Sequence, residues 1–227
     1  MGTLVVPDVL RPWVAGIDVA AGSGAAVVDV PDHATTLVVR TTPGTRREVM
    51  VMGPRTRAAY HLSEPGPSCV RIRLRPGRAK ALLGRPLRDL ADRAVPVREL
   101  PGLDVDDPVG SLAAALAGRP AGDDLVAEAV ELLAGDGVAA TARRLHVSER
   151  RLRALFADGV GLSPKHFARI DRVRTVLASG AGLRLADVAA VAGYYDQSHM
   201  TAEFRHLMGV PPAAFAAGRR PAARRCG

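Results

Sequence analysis

Two sequence periods and an internal repeat predict an α+β chain of two domains. The first half reads as a small β-barrel or sandwich, the second as all-helical. Period-two alternation marks residues 1 to about 75, and three- and four-residue spacing takes over from about residue 121. Within the helical half, "HVSERRLRALFADGVGLSPKHF", His146 to Phe167, returns as "GYYDQSHMTAEFRHLMGVPPAAF", Gly193 to Phe215. Phe215 falls on Phe167, Pro212 on Pro164, Gly209 on Gly161, Phe204 on Phe156 and Met200 on Leu152, all at an offset of 48. A repeat of this kind usually fixes the architecture.

The clearest strand is "SCVRIRLRP". Val70, Ile72 and Leu74 point one way, and Arg71, Arg73 and Arg75 the other, until Pro76-Gly77 ends it. The arginine face reads as a solvated edge, with an anion pocket as the alternative. "TTLVVRTT" and "REVMVMG" are further strands. "GIDVAAGSGAAVVDV" reads as two strands joined in a hairpin at Gly22-Ser23-Gly24. That turn is no nucleotide loop, because a third glycine and a following helix are missing. Short helices are expected in "GRAKALLGRPLRDLAD" and in "DDPVGSLAAALAGRPAGDD", and the domain boundary falls near residue 120.

Beyond it, "DDLVAEAVELLAGDG" opens on an Asp cap and stops at glycine. "GVAATARRLHV" is a short helix. Ser148 caps "SERRLRALFADG", with Glu149 adding negative charge to the first turn. Ser163, with Pro164 at the first helical position, starts "SPKHFARIDRVRTVLASG", whose Phe167, Ile170, Val173 and Leu177 form a buried stripe. "LRLADVAAVAG" and "DQSHMTAEFRHLMG" are the next helix pair, and "PPAAFAAG" a last turn or two. The tail "RRPAARRCG" reads as disordered.

Composition bounds the partners. The chain has 227 residues, a formal charge of +8 and a pI near 10.6, so it will seek polyanions. Residues 1–120 carry 16 basic and 12 acidic side chains and residues 121–227 carry 15 and 11, so charge does not say which half meets them. Hydrophobic residues reach 48% but aromatics only 4%, which leaves the core to Ala, Val and Leu. Cys69 and Cys226 show no metal or disulfide spacing, and no apolar run reaches the ~18 residues of a membrane span. A soluble, cytoplasmic protein without membrane attachment is expected.

Each repeat has the same internal logic. A short helix carries a small residue, Ala142 or Ala189, that admits a second helix. A turn follows, and then a capped helix whose Leu152 and Phe156, or Met200 and Phe204, face inward as core. This is a helix-turn-helix, a unit that presents the outer face of its second helix to a DNA major groove. Ala142 to Leu152 is ten steps and Ala189 to Met200 eleven, so the second turn is longer by one. Gly193 stands where a left-handed turn residue is wanted, and His146 holds that place in the first unit. Tyr194 and Tyr195 read as turn packing.

Residues from about 123 to 217 resemble the DNA-binding domain of the AraC/XylS family of bacterial transcription regulators. The resemblance rests on "SERRLRALF", "GLSPKHFARIDRV" and "LADVAAVAGYYDQSHMTAEFRHLMGVPPAAF", in that order and at that spacing. It implies about seven helices, with the helix from Ser163 holding two reading helices roughly 34 Å apart on one side of double-stranded DNA. Residues 1–105 more loosely resemble the cupin-like sensor or dimerisation part of such regulators, and "RPGRAKALLGRPLRDL" is similar to an ending of that domain in some members; with the boundary near 120, residues 1–120 form this part. Partners that come with the resemblance are RNA polymerase, a small-molecule effector and a second copy of the chain.

Carried over by position, the base readers of the first unit are Arg150, Arg151 and Arg153, behind the cap Ser148. In the second unit they are Gln197, Ser198 and Thr201, with His199 a neighbour. Arg205 and the helix N-termini suit phosphates. The family usually has Arg two places before the inward Phe of each reading helix; here Ala154 and Ala202 stand there, which removes two DNA contacts.

Other classes need other residues. His33, His61, His146, His166, His199 and His206 show no metal-ligand pattern, and only His33 and His61 lie in the β half, so a metal-dependent cupin enzyme is disfavoured. No G-x-S-x-G or Walker loop appears. A sensor or interaction module with weak DNA binding remains the alternative, as Ala154 and Ala202 suggest.

Overall fold

The computed structural model describes the chain except residues 1, 46, 98–99, 122–123, 134, 180–182 and 226–227. Its first half contains β1 (Gly2–Leu4), β2 (Val14–Ala21), β3 (Ala26–Asp29), β4 (Thr36–Thr41), β5 (Glu48–Met52), β6 (Ala59–Leu62) and β7 (Ser68–Leu74). Then come α1 (Ala79–Leu83), β8 (Ala94–Val97) and α2 (Pro108–Leu116). The second half contains α3 (Asp124–Leu133), α4 (Val138–Arg144), α5 (Glu149–Gly159), α6 (Pro164–Ala178), α7 (Leu185–Val191), α8 (Gln197–Met208) and α9 (Pro212–Ala216), followed by β9 (Arg224–Arg225). Among the described residues, the second half thus has the seven helices expected. The Asp123 cap expected for α3 and Cys226 lie outside the described residues.

Six strands form one sheet in the order β1-β2-β7-β4-β5-β8, and β3-β6-β9 form a second. The sheets face one another without closing into a barrel, leaving a cavity of about 580 Å³ lined from both. Register explains the layering. Ile17, Ile72, Leu37 and Val51 lie side by side across β2, β7, β4 and β5. They bury against Trp13, Leu82, Leu87, Leu90 and Leu112, which gives the first half its core.

That register overturns the reading of Arg71 and Arg73 as a solvated edge. The face opposite Ile72 is roofed by the second sheet, so both arginines point between the sheets. Arg73 forks onto Asp32 at 2.7 and 2.6 Å, and Arg71 lies 3.4 Å from Asp29. Arg75, past the strand end, is exposed and donates to the Arg11 carbonyl at 2.7 Å.

The expected hairpin is also corrected. β2 and β3 exist but do not pair: β2 joins β1 and β7, whereas β3 joins β6. Gly22 is required by close approach, since a Cβ there would collide with the Glu64 carbonyl. The chain uses that contact to cross from one sheet to the other. Of the short helices expected in 77–92 only α1 forms; the rest is turn. The tail is ordered through Arg225: its backbone runs parallel to β6, with His61 opposite Arg224.

The helical half has its own core of Val126, Leu133, Leu152, Phe156, Phe167, Ile170, Val173, Phe204 and Met208. Phe156 meets Phe167 edge-on at 5.6 Å, and Phe204 meets Phe215 at 5.9 Å. The 48-residue repeat is therefore a repeat of packing. Val28, Val30, Ala58 and Ala91 of the first half pack on this core, so the two halves share burial.

Candidate nucleic-acid interface

The two helix-turn-helix units are built by matching local bonds. In the first, Val147 N–H donates to the Ala142 carbonyl at 3.0 Å; in the second, Tyr194 N–H donates to the Ala189 carbonyl at 2.9 Å. The preceding residue is left-handed in both, His146 at φ 54° and Gly193 at φ 74°. Ala142 and Ala189 are buried, as a close helix contact needs. The cap follows at once in the first unit, where Ser148 Oγ accepts from Arg151 N–H at 3.1 Å. In the second, Asp196 Oδ1 accepts from His199 N–H at 2.7 Å, one residue later.

The extra residue is Tyr195. It is looped out and 94% exposed, which corrects its reading as turn packing. Tyr194 is buried as expected.

Burial divides each reading helix. On α5, Leu152, Leu155 and Phe156 face the core, while Arg150, Arg151, Arg153 and Ala154 are exposed. On α8, Met200, Glu203, Phe204, Leu207 and Met208 are buried, while Gln197, Ser198, His199, Ala202 and Arg205 are exposed and Thr201 is half-buried. Every side chain proposed from sequence to meet DNA is thus on an accessible surface, Thr201 least so. Arg153 is engaged by Glu149 one turn earlier, at 2.6 Å; the pair is exposed and contributes about 0–1 kcal/mol. Among the described residues Arg150 and Arg151 make no ion pair.

The C-terminal ends of the reading helices are occupied by the sheet half. On α5, Leu87 N–H donates to the Asp158 carbonyl at 2.9 Å, and Lys80 and Arg88 pair with the Asp158 carboxylate. The Lys80 hydrogen bond, opposed by partial burial and aided by Arg88, holds that carboxyl below its ordinary pKa. On α8, Ala58 N–H donates to the Leu207 carbonyl at 2.8 Å and Tyr60 Oη to the Met208 carbonyl at 2.6 Å. The connecting helix α6 is held as well. His33 stacks on Phe167 at 4.3 Å, and Arg174 lies 3.4 Å from Asp32. Burial alone would raise the Asp32 carboxyl, but Arg73 and Arg174 outweigh it and keep it low. The sheet half therefore grips the C-terminal ends of both second helices and leaves their capped N-terminal ends exposed.

Sequence reasoning missed the Glu203 cluster. Arg169 Nε donates to Glu203 at 2.9 Å, Arg172 at 2.8 and 3.2 Å, and Tyr194 Oη at 3.0 Å. A charged residue at a position that period alone assigns to the core was the available signal. No cluster of potential metal ligands occurs among the described residues, and no helix there is long and apolar enough to cross a membrane.

A comparison with known protein families agrees with the helix-turn-helix geometry. Residues 141–218 match the family described as a helix-turn-helix domain. No curated protein gives a significant match. Among solved structures, the chain is similar to an AraC-type transcriptional regulator from Chromobacterium violaceum, with 21% identity over 42% of this chain and 92% of that one and a TM-score of 0.37. The DNA-binding domain of AdpA, solved with a target DNA, gives 25% identity over 42% and 88%, with a TM-score of 0.37. ToxT from Vibrio cholerae O395 gives 9% identity over 88% and 96%, with a TM-score of 0.47. Residues 141–218 therefore carry a helix-turn-helix domain.

Proposed function

We propose that the protein is a sequence-specific transcription regulator that reads two successive major grooves of one DNA duplex. The carrying observation is that both reading helices keep their capped ends and outer faces exposed while their opposite ends are anchored. Arg150, Arg151 and Arg153 read bases in the first groove, with Ser148 setting the helix end. Gln197, Ser198 and Thr201 read the second, and Arg205 binds phosphate. Arg is the residue best suited to guanine, so the first unit supplies most of the discrimination. Ala154 and Ala202 narrow the readable face of each helix. Residues 121–227 act as the reader and 1–120 as the sensor and dimerisation part. The inter-sheet cavity, with Met50, Met52 and Cys69 beside Arg40, Arg71 and His61, is the place for a small effector. RNA polymerase is the further partner.

Gel-shift titration against promoter fragments over a salt series tests this reading. Binding whose logarithm falls linearly with log salt, and which weakens when Arg150 and Arg153 are both replaced by Ala, supports it. Salt-insensitive or absent binding contradicts it and favours a sensor module without DNA control.

A further inference from the structure

Glu203 is the one acidic residue on the inner face of α8, and its side chain is 7% exposed. It accepts hydrogen bonds from three side chains on two other segments: Arg169 and Arg172 of α6, and Tyr194 of the turn before α8. The Arg172 guanidinium also lies 5.1 Å over the Tyr194 ring, and that ring meets His199, in the first turn of α8, edge-on at 5.3 Å. Burial and then the Glu203 charge push the Tyr194 hydroxyl above its ordinary pKa, so it stays a donor. At the 48-residue offset the first unit has Leu155 here, a buried core side chain. The two units thus differ at this position: α5 fills it with an apolar side chain, whose packing is non-directional, and α8 adds to its apolar packing a directional ionic lock onto the connecting helix.

Directionality matters more for the second unit. Gln197, Ser198 and Thr201 are neutral, two of them are short, and their hydrogen bonds tolerate little angular error. We infer that Glu203, through Arg169, Arg172 and Tyr194, is a positioning residue that fixes the rotation of α8 on α6 and thereby sets base preference in the second groove. The inference rests on the two-groove reading above.

The experiment uses the full chain with Glu203→Leu, the first unit's residue, and with Glu203→Gln and Arg172→Gln. Arg169 and Arg172 are 26% and 29% exposed and can turn to water when Glu203 is lost. Base preference is measured position by position on randomised sites. The expected result is a loss of about tenfold in preference at second-groove positions, the scale of one directional base contact, with first-groove positions unchanged. Amide hydrogen exchange without DNA is measured alongside, and faster exchange in α8 than in α5 is expected in all three variants. Equal loss at both grooves, or unchanged second-groove preference together with unchanged α8 exchange, overturns the inference. If the unaltered chain binds DNA without any base preference, the two-groove reading falls, and α8 exchange alone decides whether Glu203 positions the helix. Should Glu203→Leu fail to fold, Glu203→Gln and Arg172→Gln carry the same test.

Discussion

Arg153 stands on the exposed face of α5 with Glu149 one turn behind it, a weak pair that DNA can displace. Arg153→Ala should cost about 1–3 kcal/mol on the best site and little on random sequence. Arg205→Ala should weaken all sequences alike and lower the salt slope by about one unit. Titrations on matched and scrambled sites distinguish the two; equal loss on both for Arg153→Ala contradicts its assignment as a base reader. His146 sits at φ 54°, where a side chain is strained and glycine is not. His146→Gly should therefore raise stability by up to about 1 kcal/mol, read by denaturant unfolding, and a loss would show that the imidazole makes a contact outweighing the strain. Both left-handed positions were legible from the repeat. Tyr195 was not, because the repeat says that one turn is longer by a residue but not which residue is expelled. Only the cap bonds of Ser148 and Asp196 identify it.

At the scale of elements, the reading helices differ at their open ends. α5 is capped by neutral Ser148, but α8 by Asp196, whose carboxylate would face a phosphate in the proposed two-groove reading. Asp196→Asn keeps an acceptor for His199 N–H and removes the charge, so DNA affinity should rise several-fold at low salt and the gain should shrink as salt is added. Unchanged affinity across the salt series would mean that this end of α8 does not approach the backbone. The helices were readable in sequence because caps and spacing are local signals; Ser148 and Ser163 both cap as expected. Strand pairing was not, because it is set at long range. The hairpin expected at Gly22 fails since β7 and β6 compete for β2 and β3, and the Arg71 and Arg73 face looked solvated because nothing near them in sequence announces the second sheet.

For the whole molecule, the seam between the halves should make stability depend on pH. His166, at the start of α6, is pushed below its ordinary pKa by burial first and then by the Arg169 charge, with Asp92 and His206 also near. Its folded pKa lies below the unfolded value of about 6.5, so the unfolded chain takes up the proton first. Stability from this group is present above that pH and is lost as pH falls through the lowered folded value. The melting temperature should drop between pH 7 and 5, and His166→Gln should flatten that part. The Asp32 and Asp158 carboxyls, also held low, should add a separate loss below about pH 4. An unchanged slope in His166→Gln places the titrating group elsewhere.

The same seam bears on the central claim, because the sheet half holds both reading helices and the connecting helix at fixed places. The most direct measurement is selection of bound sequences from a randomised duplex library by the full chain, followed by counting. Two reading helices on one rigid frame predict two short preferred blocks with centres about 10–10.5 base pairs apart, guanine-containing under the first unit. Enrichment of one block alone, blocks at variable separation, or no enrichment above random would contradict the account.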